Sequence, residues 1–190
     1  MRGAVFLDRD GTLIEDVDYL RSLDQIALFP WTVDALRLAA RSGLAAVVVT
    51  NQSAVARGII TEEFVAATHD ELNRRLAGGG ARIDAFYFCP HLPDAPLEKY
   101  KARCRCRKPG PGMLEDAARD LEIDLTRSWM IGDRWLDVAA GAAAGVRSLL
   151  VRSGHAARLH EEPPTGVRAD AILNNLMEAV GWILRASTSR

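Results

Sequence analysis

The strongest constraint on the fold is a regular alternation between short apolar segments and longer stretches with helical periodicity. The apolar segments occupy residues 4–7, 44–50, 85–88, 129–131 and 148–151. Segments of this length suit buried strands, and parallel strands need a crossover connection between them, usually a helix. The alternation therefore predicts an α/β fold in which a parallel sheet carries helices on both faces.

Helix boundary signals support this division of the chain. Between residues 32 and 42 the spacing places Val33, Leu36 and Ala40 on one helical face, and Gly43 suits the left-handed residue that ends a helix. Further helices are predicted from Thr61 to Gly78, over 113–121 and 135–144, and from about Asn174, with a loop over 161–166. No repeat or interdomain linker interrupts the pattern, so we predict a single domain over residues 1–190.

Length and charge narrow the class of protein. The chain has 190 residues, of which 48% are hydrophobic and 26% charged, as in an ordinary soluble domain that needs no disulfides to fold. Its 24 basic and 25 acidic residues leave a formal net charge of −1, so bulk electrostatics attract neither nucleic acid nor an anionic membrane. The apolar stretches are too short to span a bilayer. We therefore expect a cytoplasmic monomer that recognises its ligand at a local site.

Polar side chains follow three of the predicted strands. Asp8 and Asp10 come directly after the first, the segment Thr50-Asn51-Gln52-Ser53 ends the second, and Asp133 follows the fourth. Open parallel sheets bind ligands at the carboxyl ends of their strands, so these groups are candidates for one site. Each also has an ordinary structural interpretation, the two aspartates as a turn with Gly11 and the threonine as a plain strand end.

The three cysteines are crowded into one segment with a histidine. Cys89 and His91 are followed, after a proline-containing loop, by Cys104 and Cys106. Three thiolates and one imidazole are the ligands of a closed tetrahedral zinc site, whereas the alternative is three reduced thiols in a surface loop. Zinc would order this loop and direct Lys108, which follows it, toward the carboxylates. Without such an arrangement Lys108 is a solvated loop residue.

Taken in chain order, these motifs resemble those of the haloacid dehalogenase (HAD) superfamily phosphatases. The chain carries D-x-D-G-T at 8–12, a hydroxyl residue at Thr50, then Lys108, and finally G-D-x-x-x-D at 132–137. The resemblance covers nearly the whole chain. It implies a Rossmann-like, HAD-like fold and phosphatase chemistry.

The same resemblance implies roles for individual residues. Asp8 is the expected nucleophile, which forms an aspartyl-phosphate, and Asp10 is the expected general acid and base. Mg²⁺ is expected between the Asp8 carboxylate, the backbone carbonyl of Asp10 and the Asp133 carboxylate, because oxygen ligands suit this ion. The remaining expected roles are stabilisation of the phosphoryl group by Thr50 and Lys108, and support of the metal site or of Lys108 by Asp137.

The cysteine and histidine motif narrows the resemblance to the histidinol-phosphate and heptose-bisphosphate phosphatase branch, in which a zinc loop replaces a large cap domain. The long interval between His91 and Cys104, the segment TNQSAVARG and residues 16–19 resemble the heptose-bisphosphate members. The implied activity is Mg²⁺-dependent removal of the C7 phosphate of D-glycero-D-manno-heptose 1,7-bisphosphate, in the biosynthesis of nucleotide-activated heptose. Arg134 occupies the position after Asp133 at which heptose-bisphosphate members often have a lysine. Arginine keeps the positive charge and can form bidentate hydrogen bonds.

A sugar bisphosphate carries a second phosphate that is not cleaved, and arginine side chains are suited to bind it. The predicted substrate contacts are Asp16, Tyr19, Thr50, Asn51, Gln52, Ser53, Arg57, Arg107, Lys108 and Arg134.

Two other functions stay open. A histidinol-phosphate phosphatase would need carboxylates near a cationic amine, whereas the arginines favour a bisphosphate. A non-catalytic module that binds a phosphorylated ligand would not need the nucleophile, the general acid, the lysine and the metal-binding aspartate together.

Overall fold

A computed structural model describes residues 1–154 and 162–188. Its strands are β1 (Ala4–Leu7), β2 (Ala45–Asn51), β3 (Ala85–Cys89), β4 (Trp129–Gly132), β5 (Arg147–Val151) and β6 (Ala171–Leu173). They form one sheet in the order β3-β2-β1-β4-β5-β6, and every neighbouring pair is parallel. The predicted parallel sheet is confirmed, and β6 is an edge strand that we did not predict.

Helices cover both faces of this sheet. The α-helices of the described residues are α1 (Thr32–Arg41), α2 (Ser53–Ala56), α3 (Glu62–Ala77), α4 (Gly112–Asp120), α5 (Trp135–Ala143) and α6 (Leu176–Thr188). Short 3-10 helices occur at Leu23–Gln25, Glu98–Tyr100 and Leu125–Arg127. Helices α1, α3 and α6 pack into the apolar core on one face, and α4 and α5 pack into the core on the other. This arrangement is the predicted α/β, Rossmann-like fold.

The first strand is buried on both of its faces. Val5 and Leu7 pack into the core beneath α1, whereas Ala4 and Phe6 pack into the opposite core. All four residues are 0% exposed, which explains why the segment is continuously apolar instead of alternating with polar residues. The strand therefore holds the residue that follows it, Asp8, at the centre of the sheet edge.

Helix α1 begins and ends close to the predicted boundaries, and of the three residues predicted to share one face only Leu36 is fully buried. The residues that it buries include Ala35, Leu36 and Ala39. Val33 is half-buried and Ala40 is exposed. The buried face is centred between Ala35 and Leu36, and Ala40 lies about a quarter turn away from that centre.

Two long connections leave the sheet at its carboxyl edge. Residues 8–31 join β1 to α1 and residues 90–111 join β3 to α4, and each contains a 3-10 turn but no α-helix. Neither connection forms a large cap domain, as predicted. Residues 162–166 contain no helix or strand, while residue 161 of the predicted loop lies outside the described ranges. No helix within the described ranges is long and apolar enough to cross a membrane.

Candidate active site

The ends of three neighbouring strands form the centre of the site. Thr50 lies near the end of β2, Asp8 follows β1, and Asp133 follows β4. Because β2, β1 and β4 are adjacent and parallel, their carboxyl ends lie side by side. All three residues are buried. The site thus occupies the point at which the strand order changes direction, where open sheets bind their ligands.

Lys108 lies among the carboxylates at this edge. Its ammonium group donates a hydrogen bond to Asp8 Oδ1 at 2.9 Å and lies 2.6 Å from Asp137 Oδ1. Burial on its own would lower the pKa of Lys108, but the negative charges of Asp137 and Asp8 outweigh burial and raise that pKa above its ordinary value. The lysine is therefore a permanent cation within the site.

The surroundings of Asp8 oppose its ionisation in the metal-free protein. Burial is the largest influence and raises the pKa of Asp8, the charge of Lys108 lowers it, and the charges of Asp137 and Asp10 raise it. The net result raises the pKa of Asp8 from its ordinary value of 3.8 to about 6. A divalent cation beside the carboxylate would favour the ionised form, which is the form a nucleophile needs.

Three buried carboxylates provide a set of ligands for a divalent cation. Asp8, Asp133 and Asp137 each offer one oxygen, and these atoms lie within 4.8 Å of one another. The chain passes close to Asp133 at Gly11 and Gly154, where any side chain would collide with the carboxylate of Asp133. Carboxylate oxygens are the ligands that Mg²⁺ prefers, and a single lysine does not neutralise three of them. The donor set therefore fits Mg²⁺.

The carboxylate of Asp10 is held by two neighbouring side chains. Arg9 donates to both of its oxygens through Nε and Nη2, at 2.9–3.2 Å, and Gln52 Nε2 donates to Oδ2 at 3.0 Å. Arg9 is almost fully buried, at 2% exposed. We did not predict this role for Arg9, because a residue between two aspartates carries no signal in a D-x-D motif.

Gln52 also orients Thr50. The same Nε2 atom donates to Thr50 Oγ1 at 2.9 Å. Because the threonine oxygen accepts this bond, its own hydroxyl proton is left to donate to a ligand. Asn51 and Ser53, on either side of Gln52, line the same cavity as Asp8. The structure therefore brings the whole predicted segment 50–53 to the site.

The cysteine and histidine side chains form one cluster at the two ends of the zinc loop, residues 89–108. The Sγ atoms of Cys89, Cys104 and Cys106 lie 3.1–3.4 Å apart, and His91 Nδ1 lies 3.7 Å and 3.6 Å from the Sγ atoms of Cys89 and Cys106. These thiols are free, since sulfur atoms in a disulfide are about 2.05 Å apart. Burial raises the pKa of the Cys89 thiol, an effect that a bound cation would oppose. Four such donors within 4.8 Å of one another fit a tetrahedral zinc ion.

Side-chain contacts attach the zinc loop to the neighbouring helices. Arg105 pairs with Glu115 of α4 at 2.8 Å and also with Asp116. Tyr100 donates to Glu62, the first residue of α3, at 2.7 Å. The loop is therefore held on two helices as well as by its own thiol cluster, and it ends at Lys108.

The site opens into a cavity of about 690 Å³. Its walls include Asp16 and Tyr19 from the connection after β1, together with Arg107 and Arg134. Arg134 Nε is buried and has no hydrogen-bond partner within the described residues, whereas Arg107 Nη1 donates to the backbone carbonyl of His91 at 3.0 Å. The cavity thus combines the buried carboxylates and lysine with guanidinium groups, among them those of Arg107 and Arg134.

One predicted substrate contact lies elsewhere, and the cavity wall includes residues that we did not predict, Arg21 among them. Arg57 is exposed at the end of α2 and does not line the cavity, because that helix carries the chain past Ser53 and Ala54, which do. The structure therefore does not bring Arg57 to the cavity. Arg21 lines the cavity instead, but it lies in an irregular segment that has no hydrophobic period to indicate its orientation.

Sequence comparisons identify similar proteins over almost the full length of the chain. A family model described as HAD-hyrolase-like matches residues 105–179. The D-glycero-beta-D-manno-heptose-1,7-bisphosphate 7-phosphatase of Photorhabdus laumondii subsp. laumondii is 42% identical over 176 residues, which are 92% of this chain and 92% of that protein. The D-glycero-D-manno-heptose-1,7-bisphosphate 7-phosphatase of Chlorobaculum tepidum is 37% identical over 196 residues, 98% of this chain and 96% of that protein.

The fold is shared with a solved structure as well. The D,D-heptose 1.7-bisphosphate phosphatase from B. bronchiseptica, complexed with magnesium and phosphate, has a TM-score of 0.82 and 33% sequence identity. The match covers 97% of this chain and 99% of that chain. Sequence and fold therefore agree along nearly the whole length of both molecules.

Proposed function

The chain belongs to the family of D-glycero-D-manno-heptose-1,7-bisphosphate 7-phosphatases, and we propose from this that it removes the C7 phosphate of that sugar bisphosphate in a Mg²⁺-dependent hydrolysis. The observation that carries the proposal is the contact between Lys108 and Asp8, inside a cavity whose walls bear Arg107 and Arg134. The product is heptose 1-phosphate, which leads toward nucleotide-activated heptose.

Asp8 acts as the nucleophile in the first half of the reaction. Its carboxylate attacks the phosphorus at C7, the bond from phosphorus to the sugar oxygen breaks, and an aspartyl-phosphate forms. A phosphate ester repels an anionic nucleophile, so cations must offset that repulsion. Lys108 supplies a cation 2.9 Å from the nucleophile, and the hydroxyl of Thr50 donates to a phosphoryl oxygen.

Asp10 acts as general acid and then as general base. It gives a proton to the departing C7 oxygen. In the second half of the reaction it takes a proton from the water that attacks the phosphorus, which breaks the bond to the Asp8 oxygen and releases inorganic phosphate. The hydrogen bonds from Arg9 and Gln52 fix the orientation of this carboxylate in the cavity wall. Both halves of the reaction therefore use one positioned carboxyl group.

Two metal ions belong to the proposal. Asp8, Asp133 and the backbone carbonyl of Asp10 are the proposed ligands of Mg²⁺, which when bound would add positive charge beside the phosphoryl oxygens. Asp137 is not among these ligands because its two oxygens contact Lys108 at 2.6 Å and the Arg134 N–H at 3.0 Å, and it supports the site by holding Lys108. The second ion is a structural Zn²⁺, and its proposed ligands are Cys89, His91, Cys104 and Cys106.

The arginines favour a substrate with two phosphates. We assign the uncleaved C1 phosphate to Arg107 and Arg134, because forked guanidinium donors match phosphate oxygens. Asp16 and Tyr19 lie in the cavity wall where they can hydrogen-bond to sugar hydroxyls. Histidinol phosphate carries a cationic amine, which would be repelled by the two guanidinium groups.

The thiols and the proposed substrate contacts also bear on where the enzyme is located and on its oligomeric state. Three free thiols that bind zinc need a reducing environment, so we place the enzyme in the cytoplasm. The substrate contacts proposed above all come from a single chain, and we therefore propose a monomer with a small phosphorylated sugar as its partner.

The proposal is tested by measuring phosphate released with Mg²⁺ from the α and β anomers of heptose 1,7-bisphosphate and from histidinol phosphate. We expect a preference for a heptose anomer of at least tenfold in kcat/KM, which is about 1.4 kcal/mol of transition-state discrimination. The name of the Photorhabdus relative specifies the β anomer, and we expect the same preference here. Faster hydrolysis of histidinol phosphate would contradict the proposal.

A further inference from the structure

The side-chain amide of Asn51 is bonded on both sides to the backbone of Lys108. Asn51 Nδ2 donates to the Lys108 carbonyl at 3.0 Å, and the Lys108 N–H donates to Asn51 Oδ1 at 3.0 Å. The two residues are 57 positions apart in the chain. A pair of bonds from one planar amide fixes both the position and the orientation of the peptide that it contacts.

Asn51 is itself held firmly by the sheet. It ends β2, directly after Thr50, and is paired in parallel register with Cys89 of β3. Lys108, in contrast, lies in a connection without α-helix or strand, and its ammonium group stands at the end of a long flexible side chain. The Asn51 amide therefore holds the backbone of Lys108 in a fixed position relative to the end of β2.

The hydrogen bonds between Asn51 and Lys108 fix the relative positions of two groups that bind the phosphoryl group. The hydroxyl of Thr50 and the ammonium of Lys108 come from segments far apart in sequence, yet both depend on the end of β2 for their location. Lys108 Nζ also contacts Asp8 Oδ1 at 2.9 Å, so a shift of the lysine backbone would move the cation away from the nucleophile. Displacements of about 1 Å in a catalytic constellation can cost about 10²-fold in rate.

We propose that Asn51 is a positioning residue that acts through Lys108, and not the direct phosphate donor that its place beside Thr50 suggests. The inference rests on the proposed phosphatase function and adds to it a residue that sets the geometry of the cation. Its consequence is that loss of the amide reduces the rate of the chemical step and weakens phosphate binding only as far as Lys108 is displaced.

The chain contains a matched control for this arrangement. Asn73 of α3 forms the same pair of bonds with the backbone of Ile83, Nδ2 to the carbonyl at 3.2 Å and Oδ1 from the N–H at 2.8 Å. Neither Asn73 nor Ile83 lines the active-site cavity. Comparing the two asparagines therefore separates loss of a stabilising bond pair from loss of a catalytic position.

The first experiment compares Asn51→Ala with Asn73→Ala in enzyme loaded with Mg²⁺ and Zn²⁺. The readouts are kcat and KM for heptose 1,7-bisphosphate and for p-nitrophenyl phosphate, with the melting temperature of each variant. We expect Asn51→Ala to lower kcat about ten- to a hundredfold on both substrates. We expect Asn73→Ala to lower the melting temperature and to leave kcat unchanged. Normal kcat with a raised KM in Asn51→Ala would overturn the proposal.

The second experiment repeats Asn51→Ala in a Lys108→Ala background and measures the affinity for inorganic phosphate with Mg²⁺ by titration calorimetry. If Asn51 acts through Lys108, Asn51→Ala weakens phosphate binding only when the lysine is present. An equal loss of affinity in both backgrounds would show direct contact with phosphate and would overturn the proposal. Wild-type enzyme that hydrolyses the aryl ester but not the sugar bisphosphate would contradict the proposed function alone, and the Asn51 comparison is then made on the aryl ester.

Discussion

The ammonium of Lys108 lies 2.9 Å from the carboxylate of Asp8, although the two residues are 100 positions apart in the chain. The lysine is also 2.6 Å from Asp137, so one cation is shared between the nucleophile and a second buried carboxylate. A phosphatase that uses a carboxylate nucleophile needs this arrangement, because charge at the transferring phosphoryl group must be offset before attack.

Replacing Lys108 by methionine should therefore slow the reaction strongly. We expect Lys108→Met to lower kcat by about 10²–10³-fold, the usual effect of removing one preorganised electrostatic group. The substitution also leaves Asp137 buried without its cation, so the melting temperature should fall. Steady-state kinetics and thermal unfolding measure the two effects.

A second lysine of the same loop provides the control. Lys101 is about half exposed and pairs weakly with Glu98 at 3.7 Å. Lys101→Met should retain wild-type kcat and melting temperature, because exposed ion pairs contribute little. A comparable loss of activity in both variants would argue against a specific role for Lys108.

Replacing Asp8 by asparagine should abolish turnover and yet stabilise the metal-free protein at neutral pH. Since burial raises the pKa of Asp8 from 3.8 to about 6, the folded state binds the proton more tightly than the unfolded state does. Ionised Asp8 therefore lowers stability as pH rises from about 4 to about 6, and the deficit persists above that range. Asn is neutral at every pH and removes this deficit.

The measurement is the difference in melting temperature between Asp8→Asn and wild type from pH 4.5 to 7.5, with Mg²⁺ omitted and no chelator, so that zinc stays bound. We expect Asp8→Asn to gain several degrees on wild type as the pH rises from 4.5 to about 6, and the difference to stay constant above that pH. A difference that is constant with pH would contradict the raised pKa of Asp8. Turnover by Asp8→Asn at the wild-type rate would contradict the covalent mechanism.

The thiol cluster should hold one zinc ion that orders the segment leading to Lys108. We expect mass spectrometry of the native protein to find one zinc per chain, and Cys104→Ser to lose it, with a lower melting temperature and reduced kcat. Arg105→Ala is the control, because it removes the ion pairs with Glu115 and Asp116 from the same loop but leaves the thiols intact. Full activity in zinc-free Cys104→Ser would show that the metal does not position Lys108.

Arg134 and Arg57 differ in location and should differ in effect. Arg134 lines the cavity, and its Nε has no hydrogen-bond partner within the residues described, whereas Arg57 is exposed outside it. Arg134→Met should raise KM for heptose 1,7-bisphosphate about tenfold or more while KM for p-nitrophenyl phosphate changes little, since the aryl ester lacks a second phosphate. Arg57→Met should leave both unchanged. If Arg134→Met raised KM equally for the two substrates, Arg134 would not be the group that binds the C1 phosphate.

Much of the fold could be predicted because its central strands are continuously apolar. Burial of β1 on both faces requires an uninterrupted apolar run, and such a run is recognisable without any structure. Strand β6 has three residues and lies at the sheet edge, with Ile172 46% exposed. A segment so short and so exposed carries no periodic signal.

The site was partly predictable for a similar reason. Aspartates after strands and cysteines with metal-binding spacing are local patterns, and the structure brings those residues together. The contacts of Arg9 with Asp10 and of Asn51 with Lys108 depend on side-chain direction and on tertiary packing. Neither spacing nor composition indicates these contacts. For the same reason the sequence does not show that Arg57 lies outside the cavity.

The central claim is that the enzyme cleaves the C7 phosphate and leaves the C1 phosphate in place. The most direct test follows the reaction of heptose 1,7-bisphosphate with Mg²⁺ by phosphorus NMR, with Asp8→Asn as the blank. The account predicts that the C7 phosphomonoester resonance disappears while inorganic phosphate appears and the anomeric C1 resonance persists. Loss of the C1 resonance first, or no release of phosphate from this substrate, would contradict it.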